Sequence, residues 1–309
     1  MMAATMRTLP ALLAFALAAT SGFAQTSAWP PAPSHPVITL WPGTAPDATP
    51  AAGPEADDST ANSPKVAGRA VVRLTNVTVP TMTLYAPTAT NTGVAVVVFP
   101  GGGYTHLAID LEGTEVCDWL TARGITCLLL KYRIPNSGPH PKSPQALEDA
   151  QRALGLVRQH AAEWKIDPQR IGVLGFSAGG HLAAALSTHS EQRLYPAIDA
   201  ADAQSCRPDF AAVIYPGYLA DADKNFSFTP NIPVTAQTPP TFLLQAENDP
   251  VHVENAVMYF LALKAAKVPA ELHVYAEGGH GYGLRRTALP ITNWPDLVDT
   301  WLKTIHMMP

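Results

Sequence analysis

Charge is scarce in this chain. Only 15% of its 309 residues are Asp, Glu, Lys or Arg, and its 20 Lys and Arg stand against 25 Asp and Glu, a net of −5 at pH 7. Lys and Arg nowhere gather into a basic cluster, so nothing tracks a phosphate backbone and nucleic acid is disfavoured as a partner. No H-E-x-x-H and no clustered Cys/His spacing occurs, so neither a metal nor another cofactor is expected. Three cysteines cannot all pair within one chain. Cys117 and Cys127 fall in apolar helix and strand patterns and read as buried small hydrophobes, an oxidising compartment would allow them to bridge, and Cys206 lies in a polar loop. Neither an internal repeat nor a linker divides the chain, which argues for one large domain. The apolar run at 9–19 is too short to cross a bilayer. With Arg7 before it and Gly22-Phe23-Ala24 after it, that run reads as a secretory signal, 1–24, removed after Ala24. Export to the periplasm or beyond follows, leaving a chain with net charge −6 and no membrane anchor.

Proline, by contrast, is plentiful, with 30 residues. The stretch 29–64 is rich in proline, alanine and small polar residues, which opposes helix. Residues 25–67 are therefore expected as an extended arm on the surface, pinned by Trp29 and Trp41, ahead of a catalytic domain at 68–309. Strand-like runs follow at 69–74 and 81–85, and the fully apolar 94–99 reads as a buried central strand. A helix is predicted over 112–123 with Gly124 as its stop, then a strand at 126–130. Ser143 and Pro144 offer an N-cap and first-turn proline for a helix to about 160, in which Leu147, Ala150, Leu154 and Val157 share a face. Strands at 171–174, 210–215, 241–245 and 270–275 alternate with helices at 182–186, 253–267 (Ala256, Phe260 and Leu263 inward) and 294–306. The proline-rich excursion 216–240 is too long for a simple connection. This alternation predicts an α/β fold, a mostly parallel twisted sheet with helices on both faces, whose ligands gather beyond the carboxyl ends of the strands.

The chemistry concentrates at those ends. In Leu174-Gly175-Phe176-Ser177-Ala178-Gly179-Gly180 a serine sits in a strand-to-helix turn, flanked by glycines where side chains would crowd a sharp backbone. A serine hydroxyl is a weak nucleophile, so it needs a base within reach and a group to orient that base. His280, on the glycine-rich loop Gly278-Gly279-His280-Gly281, is the candidate base. His181 is its competitor, but sits one turn along the nucleophile's own helix and is expected to pack beneath the site. Asp249 is the candidate orienter, with Glu247 as its rival nearer the strand end. Gly101-Gly102-Gly103 leaves the central strand without a Cβ, so the N–H groups of Gly102 and Gly103, with that of Ala178, are expected to form an oxyanion hole. Tyr104 and Tyr218 are candidate substrate-binding residues.

With these parts in the order Ser, Asp, His, the chain resembles the α/β-hydrolase superfamily, and within it the bacterial esterase/lipase group related to acetyl xylan and feruloyl esterases. The likeness runs from about Val94 to the C-terminus. It is carried by Pro-Gly-Gly-Gly-Tyr (100–104), Leu-Lys-Tyr-Arg (130–133), Glu-Asp-Ala-Gln-Arg-Ala (148–153), Gly-Phe-Ser-Ala-Gly-Gly-His-Leu-Ala (175–183), Arg-Pro-Asp-Phe (207–210), Pro-Pro-Thr-Phe (239–242) and Gly-Gly-His-Gly (278–281), with Leu40-Trp41-Pro42-Gly43 in the arm. Two departures stand out. Pro100 replaces the histidine that opens the Gly-rich loop of related lipases, and Asn248 stands where the group often has a first aspartate, leaving Asp249 as the acid.

The resemblance implies a secreted serine carboxylic-ester hydrolase acting on acetyl groups of plant polysaccharide or its oligomers. An acylated carbohydrate or small ester is the expected partner. Two rival readings stay open. Asn248-Asp249-Pro250-Val251-His252 also resembles the catalytic domain of prolyl oligopeptidases, which would make the chain a small exported peptidase. A non-catalytic carbohydrate-binding protein on a hydrolase fold is the other. Glycoside hydrolysis is disfavoured, because it usually needs two carboxylates across one bond.

Overall fold

The computed structural model describes residues 1, 29, 35–50, 52–134 and 138–308. The expected signal segment lies outside the described residues, apart from Met1. Eight strands form the central sheet: β1 (Val37–Thr39), β2 (Thr81–Tyr85), β3 (Ala95–Phe99), β4 (Thr126–Lys131), β5 (Ile171–Phe176), β6 (Ala211–Ile214), β7 (Thr241–Ala246) and β8 (Ala270–Tyr275). Their spatial order is β1-β2-β4-β3-β5-β6-β7-β8. β1 runs antiparallel to β2 and β2 to β4, while every other pairing is parallel. Strands buried on both faces need apolar side chains at every position, and β3 (AVVVF) and β5 (IGVLGF) are buried throughout. Helices α1 (Glu115–Thr121), α2 (Gln145–Gln159), α3 (Ala178–Thr188), α4 (Glu254–Ala265) and α5 (Trp294–Thr304) supply the covering layers.

Several local expectations are corrected. Of the 69–74 run only Arg73 and Leu74 are in strand, as part of Arg73–Thr75 in a separate three-stranded sheet with Ala56–Asp57 and Leu107–Ala108. The helix expected from 112 is delayed. Asp110–Thr114 first makes a wide π-helical turn, α1 begins at Glu115, and Gly124 ends it with φ +76°. Ser143 does not cap α2 through a backbone N–H, since its hydroxyl bonds the Gln145 side chain instead. On α4 the inward aromatic is Tyr259, fully buried, while Phe260 is half-buried. The 216–240 excursion explains this, because it folds a short hairpin (Ala220–Asp221 with Ser227–Phe228) against α4 and stacks Phe228 on Tyr259 at 5.9 Å. Cys117 and Cys127 form a disulfide, with Cα atoms 5.2 Å apart, and Cys206 is buried with its Sγ on the Ser190 carbonyl.

The proline-rich N-terminal stretch does more than lie on the surface. It supplies edge strand β1, and beyond it Trp41 is buried. The Trp41 Nε1–H donates to Asp149 Oδ1 (2.8 Å), and the Leu40 carbonyl accepts from Arg152 Nε (2.9 Å). Arg133 bonds both Asp149 and Glu148 on α2. Burial and the neighbouring Asp47 carboxylate push the Glu148 carboxyl up to about 7 despite Arg133. The folded protein therefore holds a proton that the unfolded chain releases above its ordinary value of 4.5. Stability is expected to fall as pH rises from 4.5 towards 7. Glu148→Gln should flatten that part of the curve when denaturant midpoints are compared across the window.

Candidate active site

Three strand ends converge. β5 ends at Phe176, and the next residue, Ser177, turns the chain into α3 with φ 52° and ψ −116°. That backbone is strained for a residue with a side chain. Close approach explains the flanking glycines. A Cβ on Gly175 would stand 2.0 Å from the Gly179 carbonyl oxygen, and one on Gly179 2.1 Å from that of Phe99. The Ser177 N–H donates to the Ile214 carbonyl (3.0 Å), which locks the turn onto β6. The Ser177 side chain consequently stands at the N-terminus of α3, facing the positive end of the helix dipole.

His280 Nε2 lies 2.8 Å from Ser177 Oγ, and its Nδ1 lies 2.9 Å from Asp249 Oδ2. Asp249, three residues past β7, has a fully buried side chain whose other oxygen accepts the Val251 N–H (2.7 Å). Gln245 Nε2 adds a further donor to Oδ2 (3.1 Å). With Oδ1 on that backbone amide, Oδ2 is left facing the imidazole. The histidine loop is pinned by Asn248, whose Oδ1 accepts from Gly278 N–H (3.0 Å) and Gly279 N–H (2.9 Å). The asparagine that departs from the family pattern thus has a positional role.

The rivals lie elsewhere. Glu247 is exposed, with its backbone N–H on the Tyr275 carbonyl. His181 is buried beneath the elbow, with Nδ1 2.7 Å from the Tyr104 hydroxyl. Burial, followed by His140 and His189, lowers its pKa to about 3, so it stays neutral.

The glycine loop after β3 closes over the same point. Gly102 has φ +133°, and a Cβ there would lie 2.1 Å from the His106 carbonyl oxygen. That carbonyl crowds Gly102 because the loop folds back on itself: the Gly102 carbonyl accepts the N–H groups of both Thr105 and His106. Among the described residues, the N–H groups of Gly102, Gly103 and Ala178 make no bond to a protein acceptor outside helices and strands. Tyr104 is buried, with rings of Tyr132, His181 and Tyr218 around it. It therefore props Tyr218, which is 45% exposed, rather than facing solvent itself.

Glu112 escapes sequence reasoning. In the π-helical turn its buried carboxylate accepts the Gly101 N–H (2.7 Å) through Oε2 and the Tyr215 hydroxyl (2.8 Å) through Oε1. The Tyr215 oxygen in turn accepts the Gly283 N–H (3.0 Å), and its ring packs edge-on against His280 at 5.0 Å. One carboxylate thereby ties the glycine loop to the histidine loop. Burial raises its pKa, opposed by the Tyr215 hydroxyl, the Gly101 N–H and nearby His280. In the sequence it reads as an ordinary acidic residue opening an amphipathic helix, so only the turn geometry reveals it.

Comparison with known proteins fits this arrangement. The BD-FAE family matches residues 82–215. An acetylxylan esterase of Xylanibacter ruminicola is 30% identical over 69% of this chain and 46% of its own length. Endo-1,4-beta-xylanase B of Butyrivibrio fibrisolvens is 31% identical over 60% of the chain and 32% of its own length. The chain thus spans half or less of these two curated relatives. The crystal structure of an acetyl ester-xyloside bifunctional hydrolase from Caldicellulosiruptor lactoaceticus superposes with a TM-score of 0.70 at 33% identity, covering 89% of this chain and 97% of that one. A serine on a strained elbow, a mostly parallel eight-stranded sheet and a match along nearly the whole of a solved hydrolase lead to one family: the chain belongs to the α/β-hydrolase superfamily, among the esterases that resemble acetyl xylan esterases.

Proposed function

We propose that the chain is a secreted serine carboxylic-ester hydrolase that removes acetyl or similarly small acyl groups from plant polysaccharide or its oligomers. The unbroken hydrogen-bond line from Asp249 through His280 to Ser177 carries this reading. Ser177 Oγ attacks the ester carbonyl carbon while His280 Nε2 takes its proton. The carbonyl oxygen becomes an oxyanion held by the N–H groups of Gly102, Gly103 and Ala178. Collapse breaks the bond to the alcohol, whose oxygen receives the proton from His280 and leaves. Water then repeats the sequence on the acyl-enzyme, releasing the carboxylic acid and restoring Ser177. Asp249 holds the imidazole in its working tautomer and stabilises the imidazolium without taking the proton.

The structural relative's title also names a xyloside activity. In this chain Glu112 and Asp249, the carboxylates bonded into the site, are both buried and engaged, the first with Gly101 and Tyr215, the second with His280 and Val251. Neither is free to flank a glycosidic bond, so ester cleavage is the activity proposed. A panel of acetylated xylan, methyl ferulate, p-nitrophenyl acetate, p-nitrophenyl xyloside and a prolyl amide tests it. Turnover of the acetyl esters with negligible xyloside and amide cleavage is expected, and the reverse order would overturn it. Export is tested by N-terminal sequencing of the secreted protein, which should begin after Ala24.

Glu112 acts here as a positioning residue. Glu112→Ala is expected to lower kcat by about 10²-fold through small displacements of both loops, with KM changed far less. Glu112→Gln should recover part of the loss, because a carboxamide oxygen still accepts one of the two bonds. Equal changes in kcat and KM, or no rescue by glutamine, would reduce Glu112 to a packing role.

A further inference from the structure

Tyr218 is the first exposed side chain after β6, and its backbone is held in an unfavourable state, φ +59°. Neighbouring bonds impose it. The Gly217 N–H donates to the Ser177 carbonyl (3.3 Å), and buried Asn255 Oδ1 accepts the N–H groups of Leu219 (2.7 Å) and Ala220 (2.9 Å). Strain fixed to the nucleophile's own carbonyl is an observation that asks for a use. The Tyr218 ring packs against Tyr104 and His181, with centroids 5.9 and 5.8 Å away, and leaves 45% of the residue in solvent. A Cβ placed on Gly103 would lie 3.8 Å from its hydroxyl, so the ring stands at the edge of the oxyanion loop.

That ring forms one wall of a cavity of about 510 Å³, also lined by His140, Lys142, Asp221, Thr229 and Asn231. Lys142 and Asp221 bring charges of opposite sign to the lining, and the Asp221 carboxylate is also paired with Lys224 Nζ at 2.7 Å. His140 Nδ1 is buried without a hydrogen-bond partner among the described residues. An acetyl group needs far less space, and although Pro139, Pro141, Ala220 and Ala222 add apolar wall, an apolar acyl chain would offer the Lys142, Asp221, Thr229 and Asn231 groups no partner. An aromatic face ringed by hydrogen-bonding groups of both kinds suits a neutral, polyhydroxylated ring.

We propose that this cavity is the glycan subsite, in which a neutral pyranose chain bearing the ester stacks on Tyr218 and bonds Asn231, Thr229 and Asp221. The proposal rests on the serine ester-hydrolase reading for its geometry, since it places the alcohol side of the substrate beside Ser177.

Tyr218→Ala and the space-filling Asn231→Trp test it, each assayed on acetylated xylo-oligosaccharide, methyl ferulate and p-nitrophenyl acetate. The kcat/KM ratio of oligosaccharide to p-nitrophenyl acetate is expected to fall about tenfold or more in both variants, mainly through KM. Calorimetric binding of unacetylated xylo-oligosaccharide to the full chain should weaken by a similar factor. An unchanged ratio and unchanged binding would overturn the subsite. So would a loss confined to methyl ferulate, which would make the cavity an acyl pocket. Fluorophosphonate labelling of the unaltered protein separates the two readings. Labelling without the ratio change refutes the subsite alone, while absent labelling with oligosaccharide binding weakened in the variants refutes the hydrolase reading and keeps the subsite.

Discussion

Replacing Ser177 or His280 with alanine is expected to lower turnover of p-nitrophenyl acetate by about 10⁶, and replacing Asp249 by roughly 10⁴. The Asp249 loss is the smaller because that residue acts at one remove from the reacting atoms. Without Ser177 no acyl-enzyme forms, and without His280 the hydroxyl 2.8 Å away keeps its proton. Asp249 acts through the imidazole, and its loss leaves a base that still exists in the wrong orientation. A Ser177→Ala/His280→Ala double variant should be no slower than either single one, since both disable one step. Stopped assays of turnover, with circular dichroism to confirm folding, check these outcomes. Near-native turnover in Ser177→Ala would contradict the assignment.

Gly102→Ala is expected to cost about 10²–10³ in kcat, the magnitude of one oxyanion donor. The cause is steric. The new methyl would lie 2.1 Å from the His106 carbonyl oxygen, on a backbone at φ +133° that side chains do not adopt. The loop must move, and the Gly102 and Gly103 N–H groups move with it while Ser177 and His280 stay in place. Fluorophosphonate labelling should therefore persist, slowed, when ester turnover has collapsed. Gly103→Ala is the contrasting case. A Cβ there meets only the Tyr218 and Thr105 side-chain oxygens at 3.8 and 3.9 Å, and its penalty is the φ of +64° alone, so the loss should be smaller.

Much of this architecture is legible in the residues, for a physical reason. β3 and β5 are buried on both faces, so they must be apolar at each position, and that continuity is visible without knowing their partners. Ser177, Asp249 and His280 each follow a strand, and a parallel sheet gathers such positions at one rim. What stays hidden depends on long-range contact. β1 is three residues within a proline-rich stretch and exists because β2 offers it an edge. The buried face of α4 is set by a hairpin from the 216–240 excursion, which puts Tyr259 rather than Phe260 inside. Cys206 sits in a polar sequence yet is buried by the chain around it. Glu112 meets Gly101 and Tyr215 only because the chain makes a π-helical turn, for which its local sequence carries no marker.

The central claim is that His280, oriented by Asp249, makes Ser177 reactive. Peptide mapping by mass spectrometry after treatment with a fluorophosphonate tests it most directly. The account predicts one covalent adduct, on Ser177, in the unaltered protein, and loss of that adduct in folded His280→Ala. An adduct on another residue, or undiminished labelling of Ser177 without His280, would contradict it.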